Sequence, residues 1–307
     1  MKANGRNIVS TPSRIDIRAC LTLYINDFWK CLDFAEAIMF ADDTTLVFKD
    51  KDIDLLIAKV NEDLSSAENW FAENKLSLNI KKTKYMLFDK SRSRNRDFEV
   101  YICNKVLERV KSKKFLGITF DEKLAWKEHI NVIISKLNSC LGISRRARPY
   151  LNRAYLMIIY HSLMQSHINY CNTTWAAWEP RGNKALLRRL QAVCNKFIRL
   201  TFNIDRTESV RDILRSQNIL NVYQKYDFSI GQLIHKAVNG QLPIILQNSL
   251  VINNEFFFFK NCRLKQTERS VVFSAPKVWN NLPLECIEES NFQKFKTMTK
   301  KNILEKQ

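Results

Sequence analysis

From Trp126 onward the chain spaces its apolar residues three and four positions apart, and that spacing commits most of its length to helices packed by one face. Trp126, Ile130, Ile133, Ile134, Leu137 and Leu141 form one stripe, which closes at Ser144-Arg145-Arg146-Ala147-Arg148-Pro149, where proline stops the helix. The same spacing predicts helices over 152–170, 184–200, 209–237 and 291–304, with an irregular stretch after Gly240. Over 184–200, Leu186, Leu187, Leu190, Val193, Cys194 and Phe197 face inward, and Arg188, Arg189, Lys196 and Arg199 face outward. Only six glycines and six prolines interrupt 307 residues, which suits a mainly helical chain and excludes collagen-like and linker-like ones.

Upstream the period is mixed. Ile38-Met39-Phe40 and Leu46-Val47-Phe48 flank Ala41-Asp42-Asp43-Thr44-Thr45, which predicts a β-hairpin with two carboxylates at its tip. Ile53, Leu56, Ile57, Val60, Leu64, Ala67 and Phe71 predict a long amphipathic helix over 50–75. Alternation returns over 76–89, a polar basic turn follows over 90–96, and further strands are expected over 98–106 and 114–120. The fold class is therefore α+β, with a mixed unit to about residue 122 and a mostly helical one after it. No apolar run nears the ~20 residues of a membrane span, and residues 1–20 carry no apolar signal segment, so an intracellular protein with no membrane partner is expected. The eight cysteines never form Cys-x-x-Cys and the four histidines do not sit beside them, which predicts reduced thiols and no zinc site.

Charge points to a partner. The formal net charge is +18, made of −1 over 1–50, +2 over 51–97 and +17 from 98 to the end. Helical segments carrying that excess would suit a phosphate backbone, so nucleic acid leads; a basic surface serving only solubility is the alternative. Asp42 and Asp43 repel each other, and a turn holding both gains most with a divalent cation between them, although aspartate also favours turns for its own backbone hydrogen bonds.

Several ordered blocks resemble the reverse transcriptases of non-LTR retrotransposons, the jockey-like RNA-directed DNA polymerases. Tyr24-Ile25-Asn26-Asp27 and then Phe40-Ala41-Asp42-Asp43-Thr44 are similar to the end of the family's palm helix and its aspartate-pair hairpin. Leu76-Ser77-Leu78-Asn79-Ile80-Lys81-Lys82-Thr83-Lys84 resembles the Asn-x-x-Lys-Thr element. Phe115-Leu116-Gly117-Ile118 with Leu124-x-Trp126-x-x-His129-Ile130 is similar to the primer-grip hairpin leading into the thumb. Phe273, Ala275-Pro276, Trp279-Asn280 and Leu282-Pro283 resemble a C-terminal segment of such reading frames.

The resemblance implies a partial polymerase palm over 20–122, a thumb and helical extension over 123–250 and a C-terminal segment over 251–307. It implies RNA-directed DNA synthesis on an RNA template and DNA primer, by two Mg2+ (or Mn2+) ions, with a nuclear location. Asp42 and Asp43 would be catalytic metal ligands, and Lys82 would lie near the incoming nucleotide. Lys111, Lys113, Lys114 and Gly117, around the primer-grip block, and Arg145, Arg146 and Arg148, after the first thumb helix, would contact the duplex; dipole-favoured cations at a helix end are the other reading of the arginines. No block matches the family's fingers or first catalytic strand, so an N-terminally truncated fragment is expected, inactive alone or nearly so. A non-catalytic nucleic-acid-binding remnant is the alternative. Trp126, Trp175, Trp178 and Trp279 are read as core, His129 and His161 as packing or hydrogen-bonding residues, and Phe256-Phe257-Phe258-Phe259 as a buried strand or an aggregation-prone run.

Overall fold

Alternating residues pair first. In the computed structural model, which describes residues 23–41, 43–88, 98–177, 183–250, 252–253, 256–257 and 270–306, Glu36–Phe40 (β1) and Asp43–Val47 (β2) are antiparallel. Phe40 lies opposite Asp43, and Ala41 at the turn has a left-handed φ of 53°. Asp43 is thus not at the tip, as expected, but opens β2. The β-branched Thr44 and Thr45 behind it favour strand over turn and draw it into the ladder. Asp42 lies outside the described residues.

Asp52 caps the long helix Ile53–Glu73 (α1) by accepting the N–H groups of Asp54 and Leu55. The helix buries Leu64, Ala67 and Trp70; Phe28 packs edge-on to Trp70, with ring centroids 5.2 Å apart. The alternation over 76–89 yields only Lys84–Tyr85 (β3), because the N–H groups of Lys82 and Thr83 turn back to the Asn79 carbonyl. The expected strand over 98–106 is a hairpin, Tyr101–Ile102 (β4) against Lys105–Val106 (β5), turned on Cys103 and Asn104 with φ of 48° and 56°. That double left-handed turn matches the twist of a tight hairpin. Glu108–Arg109 (β6) then pairs parallel to β3.

The chain divides into two compact units, Met1–Lys111 and Ser112–Gln307. The second opens with a hairpin where one strand was expected over 114–120: Ser112–Phe115 (β7) pairs with Ile118–Asp121 (β8), turned on Leu116 and Gly117 at φ of 44° and 83°. Asp121 then accepts the N–H groups of Lys123, Ala125 and Trp126, which ties β8 to the start of Lys127–Ala147 (α2). After Pro149, residues 153–169 form one helical run, Arg153–Ile159 (α3) and Gln165–Asn169 (α4) joined by a π turn at Tyr160–Met164. Asn172–Trp175 (α5) and Lys184–Phe202 (α6) follow.

The single helix expected over 209–237 is two, Arg211–Ser216 (α7) and Val222–Val238 (α8). Asn218 breaks the run at φ 52°, and Asn221 with Gln224 makes a reciprocal cap that starts α8. The stretch expected to be irregular holds Ile244–Ser249 (α9), a short antiparallel pair Ile252–Asn253 (β9) and Phe256–Phe257 (β10), Val271–Asn280 (α10) and Leu284–Ile287 (α11). Pro276 inside α10 reads as a helix breaker and hides it from periodicity. Phe292–Glu305 (α12) closes the described chain, and Phe258 and Phe259 lie outside the described residues.

One core runs through the second unit, from Ile118 and Trp126 through Ile130, Leu137, Met164, Leu187 and Phe197 to Ile230, Trp279 and Phe295. Trp126, Trp175 and Trp279 are buried in it as read, and Trp178 lies outside the described residues. His129 is buried too; His161 is exposed, its ring beside Tyr160. The chain is mixed α and β, mainly helical with two-stranded sheets. Among the described residues no helix is long and apolar enough to cross a membrane, and the six described cysteines are free thiols.

Candidate nucleic-acid interface

The aspartate hairpin is fixed from behind. Its inner face sets Met39 and Leu46 against the core of the first unit, while Ile38, Phe40 and Asp43 are exposed. A fully buried carboxylate on α1, Asp63, accepts the N–H groups of Asp33 (3.0 Å), Phe34 (3.0 Å) and Ala35 (2.7 Å), the residues that lead into β1. Asp63 carries no sign of this role except its position: it falls on the apolar stripe between Val60, Leu64 and Ala67.

Lys82 is exposed in the turn after residue 79. Among the described residues no group of three His, Cys, Asp or Glu side chains gathers anywhere. Mg2+ asks for near-octahedral oxygen ligation, and one exposed carboxylate does not supply it. Of the two expected ligands the described residues hold only Asp43.

The predicted phosphate contacts separate into groups. Lys111 closes the first unit, whereas Lys113 and Lys114 stand on β7, all three exposed. Lys113 lies opposite Phe120 and Lys114 opposite Thr119, so the two lysines project from opposite faces of the ribbon. Arg145 and Arg146 are exposed in the last turn of α2. Arg148 is exposed as well, and its Nη2 donates to Asn203 Oδ1 at 2.5 Å. Gly117 has a structural reason to be glycine: φ is +83°, and a Cβ there would meet Tyr170 Cε1 at 3.2 Å.

Helix α6 adds cations that sequence reading left unassigned. It packs along α2, and a shallow groove of about 640 Å³ runs between them, lined by Asn131, Ile134, Ser135, Asn138 and Ser139 of α2 and by Arg189 of α6. Arg188, Arg189 and Lys196 are exposed on α6, and Lys136 is exposed on α2. Arg199 does not join them as expected; its Nε and Nη2 donate to the carbonyls of Asp205 and Glu208, fastening the loop after α6. By its 21 residues α2 extends for about 30 Å, so the groove side offers neutral hydrogen-bonding groups along a rod bordered by positive charge.

Burial, then the nearby Lys136, pushes His129 down to about 4, and the same two causes lower His167. A signal for the surface is present in the sequence. Residues 129–204 hold eleven Lys and Arg and one acid, Glu179. Such an arrangement suits phosphate contacts, which position a duplex without reading its bases.

A scan against protein-family models matches none, and searches of curated proteins and of solved structures return no match, so the reverse-transcriptase resemblance stands on the sequence blocks alone.

Proposed function

We propose that the chain binds a template–primer duplex through its second, helical unit, as a part of a non-LTR retrotransposon reverse transcriptase. The observation that carries this reading is the acid-poor run over 129–204, with Arg189 lining the α2–α6 groove and Lys136, Arg188 and Lys196 exposed on the same two helices. The ordered blocks from Tyr24 to Pro283 support the polymerase assignment, with a palm-like first unit and a thumb-like second. A non-catalytic nucleic-acid-binding remnant is the second reading, favoured by the lack, among the described residues, of any group of three His, Cys, Asp or Glu side chains able to hold a metal ion.

Binding to an RNA–DNA duplex across a salt series tests the first reading. The logarithm of affinity is expected to fall linearly with the logarithm of salt, and Arg189→Ala with Lys196→Ala to reduce that slope by about two phosphates' worth and affinity by about tenfold or more. A slope unmoved by the pair would remove the α2–α6 surface from the interface. Primer extension with Mg2+ or Mn2+, beside Asp43→Asn, tests catalysis by the chain itself: extension lost in the variant marks a working polymerase, and binding without extension marks a chain that binds a duplex but does not catalyse alone.

A further inference from the structure

We propose that Tyr170 is a positioning residue for the basic surface of the second unit, holding the β7–β8 hairpin so that the lysine-bearing strand β7 is presented to a duplex in one fixed pose. The inference rests on the nucleic-acid reading of that surface.

Tyr170 follows α4 directly. Its hydroxyl donates to the Leu116 carbonyl at 2.7 Å, and its ring lies so close under Gly117 that a Cβ there would meet Cε1 at 3.2 Å. The tip of the hairpin is therefore seated on a side chain from a distant part of the chain. Tyr170 is itself held: its carbonyl accepts Trp175 Nε1–H at 3.0 Å, and Trp175 is fully buried.

The ring of contacts closes on the other strand. His129 packs edge-on against Trp175, with centroids 5.5 Å apart, and its Nδ1 accepts the Thr119 N–H of β8 at 3.3 Å. The hairpin is thus gripped at its turn by Tyr170 and along β8 by His129, with Trp175 joining the two grips.

Nothing about burial demands the phenol. Tyr170 is 51% exposed, so its hydroxyl is not needed to satisfy a buried site. Its hydrogen bond to Leu116 acts on the two-residue turn that follows Lys113, Lys114 and Phe115. A two-stranded ribbon is barely stable by itself, and a lysine on a loose ribbon contributes less to binding, because its ordering must be repaid when phosphate is met.

Tyr170→Phe tests the role because it keeps the ring and removes only the bond. Two readouts are needed. Amide hydrogen exchange over 113–120 is expected to quicken about five- to tenfold, since the ribbon opens locally more often. Affinity for an RNA–DNA duplex at low salt is expected to drop about threefold or more, with a salt slope smaller by about one counterion. Lys113→Ala with Lys114→Ala should then cost less in the Tyr170→Phe background than in the wild type, as coupled groups do.

Gly117→Ala, which crowds the same seat from the hairpin side, should reproduce the exchange and slope effects. Faster exchange with unchanged affinity and slope in Tyr170→Phe would overturn the positioning role and leave a purely structural tyrosine. No salt-dependent binding by the wild type would overturn the nucleic-acid reading itself, and the positioning role with it.

Discussion

Asp63→Ala is expected to cost the first unit about 3 kcal/mol, because hydrogen bonds to a charged acceptor are worth about 1.5–3 kcal/mol each and the three here share one carboxylate, so they do not add fully. The loss follows from geometry. A side chain with no exposed surface takes three successive backbone N–H groups just ahead of β1, and alanine leaves them with water or with nothing. Against a total stability of about 5–15 kcal/mol for an ordinary domain, that is a large share. Urea unfolding combined with hydrogen exchange over α1 and β1 reads it out. Asp63→Asn should lose less, since one amide oxygen still accepts. A change below about 0.5 kcal/mol in the alanine variant, the range of ordinary surface substitutions, would show that this loop is set by other contacts.

A second large effect is expected with the opposite sign. Lys225 on α8 is only 6% exposed, and its Nζ has no hydrogen-bond partner among the described residues. Burial pushes its ammonium down from 10.5 to about 8; the thiol of Cys194 opposes the shift and the cation of Lys300 adds to it. The folded state thus binds its proton less readily than the unfolded chain. Stability should be lowest below pH 8, rise between about 8 and 10.5 as the unfolded state holds the extra proton, and level off above.

Each tenfold loss of proton affinity on folding is worth about 1.4 kcal/mol, so the protonated amine costs about 3 kcal/mol at neutral pH. Lys225→Met keeps the length of the stem and discards the charge, so it should raise stability by about 2–3 kcal/mol at pH 7 and flatten the rise above pH 8. Melting at pH 7 and pH 10 decides it. A variant no more stable than the wild type at pH 7, with the alkaline rise intact, would place the charge elsewhere.

Helix α2 was legible because its stripe is the core itself: Ile130 and Leu137 are completely buried, and the helix covers the run that their spacing predicts. The errors have local causes. Asn218 interrupts a good helical period with a left-handed residue, Pro276 disguises a real helix, and Leu116-Gly117 turns inside what reads as one apolar strand. The exposed cations Arg145, Arg146, Lys113 and Lys114 were readable singly. Their companions Arg189 and Lys196 read as outward but do not connect to α2 in the sequence, because which two helices lie side by side is a tertiary fact that no period contains. Asp63 and Lys225 escape for a further reason: charged residues are presumed to face water, and only packing reveals the ones that do not.

The π turn at Tyr160–Met164 has a geometric consequence for the hairpin. It holds one residue more than an α turn, and one residue amounts to about 100° around a helix axis. Every side chain beyond it is rotated by that amount relative to a regular helix begun at Arg153. Ile168 reaches the core and Tyr170 arrives beneath Gly117 in the phase that this added residue sets. Removing one residue from the turn would leave each side chain of the grip intact and aim Tyr170 elsewhere, so the seat of the hairpin is determined by counting along the chain as much as by chemistry.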